Sequence, residues 1–254
     1  MLGGGLGSQP TTECDIFGSY QSLNLDGNSD YVSLPSSIIN AVNKAAGSVS
    51  LWVNLIQNDA DKSQMVSRIW TDSSNHFSMI YHKNDTEWRA TIKTNNTART
   101  ATYDIPGSSN NDGSGYDDGW QHFVGTWSIA GGAYSVKLYR NGSLIQNITD
   151  SSGQSDWVGD VSLIHIGANH LGTDAFVDGQ MDQVGYWDIE LPGTAVTAIY
   201  NGGVMRDLTT QHTNYTQTAN LIGYYQFEGN ALDSSNTKAH GTLNGTAGFS
   251  TSQP

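Results

Sequence analysis

The stretch FVDGQMDQVGYWDIELPG, residues 176–193, holds Asp178, Asp182, Asp188 and Glu190 in one short run. Carboxylates this close support two kinds of chemistry. One acid can protonate a leaving oxygen while a second attacks or activates water, as in glycoside hydrolysis. Alternatively, several carboxylate oxygens can hold a hard cation such as calcium. The third reading is structural: acids collect where a strand meets a turn.

The rest of the chain weighs against catalysis. Its only glutamates are Glu13, Glu87, Glu190 and Glu228, none in a closely spaced catalytic pattern. Asp188-Ile189-Glu190 is the nearest approach, and it stands at a strand end before Leu191-Pro192. His165 in LIHIG and Tyr81-His82 in MIYH supply groups able to move a proton, but no catalytic signature surrounds them. No Cys/His cluster suggests zinc, and no nucleophile elbow or phosphate-binding loop occurs. Cys14 is the sole cysteine, so no internal disulfide forms.

Two binding chemistries stay open. DGNSD places Asp26, Asn28 and Asp30 at alternate positions of a turn, as oxygen ligands for a cation would be. It is not an EF-hand, because Tyr31 and Ser37 stand where that loop needs Gly and Glu. Sugars stack on aromatic faces. Trp70, Tyr81, Trp88, Tyr103 and Trp157 are the candidates, whereas Trp52, Trp127 and Trp187 read as core.

The elements that position these residues are strands. SVSLWVNL alternates, with Val49, Leu51, Val53 and Leu55 on one face and Trp52 on the other. HFSMIYHK, EWRATIKT, VSLIHIGAN, GQMDQVGYWD and LIGYYQFEG read as further strands. In YSVKLYRNGSLIQNIT, Asn141-Gly142 is the favoured pair for a type I′ turn. That turn sets Tyr139 opposite Leu144 and Leu138 opposite Ile145. SIINAVNKAAG predicts a short helix ended by Gly47, and GTAVTAIYNGG a helix burying Ala195, Val196, Ile199 and Tyr200. NNTARTATYDIPGSSNNDGSGYDDG reads as a loop. Many strands with one or two short helices predict an all-β antiparallel two-sheet sandwich.

Charge narrows the partners. The net charge is −13 with only 11 Lys and Arg, so no basic stripe exists for nucleic acid or an anionic membrane. No apolar run is long enough to span a bilayer, and the start lacks the marks of a signal peptide. Residues 1–18 read as a flexible glycine-rich arm and residues 19–254 as one domain.

Five segments in order resemble laminin-G-like, concanavalin A-like domains: LNLDGNSDYVSLP, SVSLWVNL, the DGWQHFVGTWS…YSVKLYRNGSLI hairpin, IGAN…FVDGQMDQVGYWDIELPGTAVTAIYNGG, and LIGYYQFEGNALDSSNTKAHGT. The resemblance covers roughly residues 20–248 and implies a jelly roll. It implies no single function, since relatives include glycan-binding modules, adhesion domains, hydrolases and virion proteins. It also implies that the first strand pair lies beside the penultimate strand. Asp26 and Asp30 would then meet Asp178 or Asp182 around one structural Ca2+, the alternative being ordinary turn acids. The glycine-rich start and the DSSN…GT tail resemble exterior proteins of tailed phages. The first expectation is therefore a non-enzymatic virion exterior subunit, a capsid decoration or fibre-type protein. Its arm would contact neighbouring virion subunits in a homo-oligomer or larger assembly, and its body would bind a glycan. The competing expectations are a secreted carbohydrate-binding module and, third, a glycoside hydrolase or lyase. Location would be the virion surface or extracellular space.

Overall fold

Period-two alternation of buried and more exposed side chains marks the strands at Glu87–Thr94, Thr97–Asp104 and Ala133–Arg140, while those at Ala46–Leu55, Gln121–Ala130 and Asp178–Trp187 are buried on both faces. The computed structural model describes residues 20–55, 63–82, 85–105, 119–130, 132–153 and 156–254. The arm expected at 1–18, with Cys14, lies outside them. Fifteen strands are described: β1 (Ser22–Asp26), β2 (Tyr31–Ser33), β3 (Ala46–Leu55), β4 (Gln64–Asp72), β5 (Asn75–His82), β6 (Glu87–Thr94), β7 (Thr97–Asp104), β8 (Gln121–Ala130), β9 (Ala133–Arg140), β10 (Ser143–Asp150), β11 (Leu163–Ile166), β12 (Asp178–Trp187), β13 (Leu221–Tyr225), β14 (Thr242–Asn244) and β15 (Gly248–Ser250). Two short α-helices, α1 (Ser36–Ile39) and α2 (Gly193–Tyr200), complete the regular structure with two single-turn 3-10 segments. No helix among the described residues is long and apolar enough to cross a membrane.

The strands form two antiparallel sheets. The first runs β10-β9-β8-β3-β12-β1-β15, with β13 also paired to β12; the second runs β14-β2-β11-β4-β5-β6-β7. Between them lies the main core, where Leu23, Val49, Leu51, Val53, Phe77, Met79, Ile92, Phe123, Ile164 and Met181 interdigitate. This is the expected jelly-roll sandwich.

Three local expectations change, and one strand goes unread in the sequence. Gly47 does not end a helix: α1 stops at Ile39, and Gly47 lies within β3. A Cβ there would stand 2.2 Å from the Trp127 ring, so the position accommodates an indole laid on the backbone. The supposed loop after Asn95 is β7 as far as Asp104, because Arg99 and Ala101 alternate inward over the β6 pairing. The rest of that loop, at 106–118, lies outside the described residues. β4 escapes pattern reading because its register with β5 shifts twice, between Met65 and Ser67 and between Trp70 and Asp72, breaking strict alternation. In the β9–β10 hairpin Asn141 and Gly142 take positive φ (47° and 75°) as the turn demands, and Tyr139 faces Leu144. A bulge at Ile145 then sets Gln146, not Ile145, opposite Leu138.

Candidate functional site

The two sheets differ on their outer faces. That of the first sheet is covered. α2 buries Ala195, Val196 and Ile199 in a second core with Val124, Tyr139, Trp187, Leu208 and Tyr224. Asn201 in the left-handed region (φ 51°) ends the helix. Trp52 stacks on Tyr200 beneath it, centroids 5.8 Å apart. His122 is sealed here, its Nε2 2.8 Å from Ser50 Oγ and its Nδ1 without a partner. Burial depresses its pKa to about 3, so the ring is neutral.

The outer face of the second sheet is built differently. Ile69, Phe77, Met79, Ile92, Ile164 and Ile166 point into the core. Alternation therefore turns Arg68, Trp70, His76, Ser78, Thr91, Lys93 and His165 away from the core; His76, Ser78 and His165 are nonetheless buried (8, 4 and 8% exposed), while Arg68, Trp70, Thr91 and Lys93 are half-buried. Register aligns them into one row across all seven strands: Thr242, Ser33, His165, Arg68, Ser78, Thr91 and Thr100. Beside it runs a second row, Leu163, Trp70, His76 and Lys93.

Arg68 sits at the centre. Its guanidinium carbon lies 4.5 Å from the Trp70 ring centroid, a cation–π contact. His76 and His170 stack on Trp70, with centroids at 5.1 and 3.8 Å. His165 packs against Tyr31 at 4.7 Å. Its Nδ1 donates to the Asn169 carbonyl at 2.7 Å, which leaves Nε2 as an acceptor. Desolvation lowers the pKa of His76 to about 3, with the Arg68 charge adding to it. His165 and His170 are lowered for the same first reason. Desolvation also lowers Arg68 itself, to about 10. The cluster thus sets a guanidinium charge beside imidazoles whose protonation burial disfavours.

The sequence-derived sugar-stacking residues divide. Tyr81, Trp88 and Trp157 are buried in the core (1, 6 and 4% exposed), so packing claims their rings and they are corrected to core residues. Tyr103 is half-buried and capped by Arg140, 4.8 Å over its ring. Trp70 alone of the five faces the outer surface of the second sheet, and His170 already lies on its ring. Arg68, His76 and His170 were not recognisable as site residues without β4. The signal was Ser67-Arg68-Ile69-Trp70, where a buried Ile separates two outward-facing side chains.

The acids do not assemble into a dyad or a metal centre. Glu190 pairs with Lys137 at 2.6 Å, and Asp188 accepts from Asn220 at 2.9 Å. Glu87 pairs with Arg89, and Glu228 accepts the Tyr20 and Gln21 amides. β1 does pair with β12, with Asp26 directly opposite Asp178. Asp182 lies four residues further along β12, about 13 Å away at the usual strand rise. It is fully buried opposite Trp52 and accepts the Gln183 amide. Asp26 Oδ1 accepts the amides of Asn28, Ser29 and Asp30, and its Oδ2 the Ser29 hydroxyl at 3.3 Å; the Asp30 oxygens accept the amides of Asp26 and Thr246. Among the described residues no three His, Cys, Asp or Glu side chains are grouped to hold a metal. The four acids expected for calcium thus do not converge on one ion: Asp182 is remote, and amides engage both oxygens of Asp30 and one of Asp26.

The model of the concanavalin A-like lectin/glucanase superfamily matches residues 26–197. No curated protein matches the sequence. Among solved structures, a protein of Bacteroides ovatus whose carbohydrate binding is proposed aligns at TM-score 0.58 and 14% identity, over 92% of this chain and 60% of its own. The botulinum neurotoxin serotype D binding domain aligns at TM-score 0.52 and 17% identity, over 77% and 46%. The CBM40 of the Ruminococcus gnavus IT-sialidase, solved with α2,3-sialyllactose, aligns at TM-score 0.50 and 13% identity, over 72% and 100%. At these identities the likeness is one of fold. With the family model covering well over half of its length, the chain belongs to the concanavalin A-like lectin/glucanase superfamily and carries its lectin-like jelly roll.

Proposed function

We propose that this protein is a non-enzymatic carbohydrate-binding module whose ligand lies on the outer face of the second sheet. The observation that carries the reading is the polar row from Thr242 to Thr100, with Arg68 and His165 at its centre, on the one sheet that α2 does not cover. Hydroxyl, imidazole and guanidinium groups at regular sheet spacing match the hydroxyls of a sugar chain. Against hydrolysis, each glutamate among the described residues is held by a cation or by backbone amides. Display on a virion exterior is the setting proposed from the glycine-rich start and DSSN…GT tail, and mass spectrometry of purified particles checks it. The binding reading is tested on a broad glycan panel with wild type and His165→Ala. Binding that falls at least tenfold in the variant supports it. A flat response across the panel, or reducing ends or unsaturated products released from any polymer, overturns it.

A further inference from the structure

Resting on that reading, we infer that the ligand is an acidic glycan, and that Arg68 receives a carboxylate or sulfate on its sugar ring. The argument begins with what Arg68 lacks. Arg89 is paired with Asp85 and Glu87, Arg99 with Asp150, Lys137 with Glu190 and Lys44 with Asp160. Arg68 has no carboxylate partner and no hydrogen-bond partner among the described residues, and its Nε is sealed from solvent without one.

A half-buried guanidinium without an acceptor is costly, because desolvation weakens its hydration, the Trp70 face offsets only part of that, and the sealed Nε has no acceptor. An oxyanion arriving from outside would supply that acceptor through the planar fork that suits carboxylate and sulfate. The surroundings favour the same ligand. Trp70 backs the guanidinium, the His165 Nε2 can accept a neighbouring hydroxyl, and Lys93 adds a cation two strands over and two residues along, roughly 12 Å at the usual strand spacing and rise. The chain as a whole is acidic, at −13. Its net charge therefore gives no general attraction for polyanions, and an acidic polymer would need a local patch such as this one to be held.

The experiment pairs polymers that differ only in the anion: a polyuronate with its carboxyl-reduced product, and a sulfated galactan with its desulfated product. Titration calorimetry is run on wild type, Arg68→Gln and Arg68→Lys, with thermal melts to show that each variant is folded. The expected result is that wild type binds at least one acidic member about tenfold or more tightly than its neutral counterpart. Arg68→Gln loses that preference and Arg68→Lys keeps part of it. Which acidic member binds separates carboxylate from sulfate. Equal binding of the acidic and neutral members overturns the inference and leaves carbohydrate binding standing, and so does a preference that survives Arg68→Gln. Binding of no polymer in either pair overturns the reading on which the inference rests. The wild-type comparison stands even where a variant fails to fold.

Discussion

His170 lies nearly parallel to Trp70, with ring centroids 3.8 Å apart and planes 19° from coplanar. The stack closes the aromatic face that sequence reading offered to a sugar. It also places a titratable ring beside Arg68. Burial lowers the His170 pKa first, and the Arg68 charge adds to it. A bound anion acts the other way and draws a proton on. Binding of an acidic glycan is therefore expected to tighten as pH falls through and below the ordinary histidine value of about 6.5. Arg68, Lys93, His76, His165, Asp72 and Asp174 share the neighbourhood; His76, held at about 3, does not titrate near that value. His170→Gln should flatten the profile. Affinity for the acidic member that does not change with pH would contradict the expectation.

His122 gives a separate pH dependence, of stability. Its pKa is about 3 in the folded protein against 6.5 ordinarily, because the ring is fully buried. Between those values the unfolded chain holds the proton and the folded chain does not. Stability is therefore fully present above about pH 6.5 and falls as pH drops, by up to about 1.4 kcal/mol per pH unit for this residue. His76 adds in the same direction. Urea denaturation at several pH values between about 4 and 7 checks this, with His122→Gln as comparison. The variant should show a shallower slope; identical slopes would remove His122 as a cause.

The architecture was legible because alternation of residue type survives even in β3, which is buried on both faces. Val49, Leu51 and Val53 in β3, and the Asn141-Gly142 turn, carry their signals in five or fewer residues. The site was less legible for a physical reason. β4 is interrupted by two register shifts, so Arg68 and Trp70 could not be placed on a common face with His165 by spacing alone. His170 reaches Trp70 from a loop, a contact that no periodicity encodes. Tyr81 and Trp88 were misplaced because an aromatic in an alternating strand reads the same whether its face is inner or outer. Only the partner strands settle that.

Gly47→Ala tests the packing of Trp127. The added methyl would meet the ring at 2.2 Å. The indole cannot easily yield, since it packs on Phe77 at 4.5 Å and donates to the Lys44 carbonyl at 3.3 Å. The substitution should cost about 1–3 kcal/mol, the range for overpacking a core. For a chain of this size that lowers Tm by roughly 2–4 °C per kcal/mol. Trp127→Phe combined with Gly47→Ala should recover part of the loss, because the smaller ring relieves the clash. A Gly47→Ala melt unchanged from wild type would show that the indole moves freely.

Asp30 tests whether the acidic corner is a structural anchor or an ion site. Its carboxylate is 2% exposed and accepts the Thr246 amide at 2.5 Å and the Asp26 amide at 3.2 Å. It thus ties the turn between β14 and β15 to the turn between β1 and β2, closing the two chain ends of the sandwich against each other. Asp30→Ala leaves both amides without this acceptor and should cost about 1–3 kcal/mol. Asp30→Asn keeps one carbonyl oxygen and should cost less. Since both Asp30 oxygens and Asp26 Oδ1 are engaged by amides, millimolar calcium or a chelator should leave the wild-type Tm unchanged. A calcium-dependent rise of several degrees in wild type, abolished in Asp30→Asn, would show that the amides give way to an ion and would restore the calcium reading of this corner.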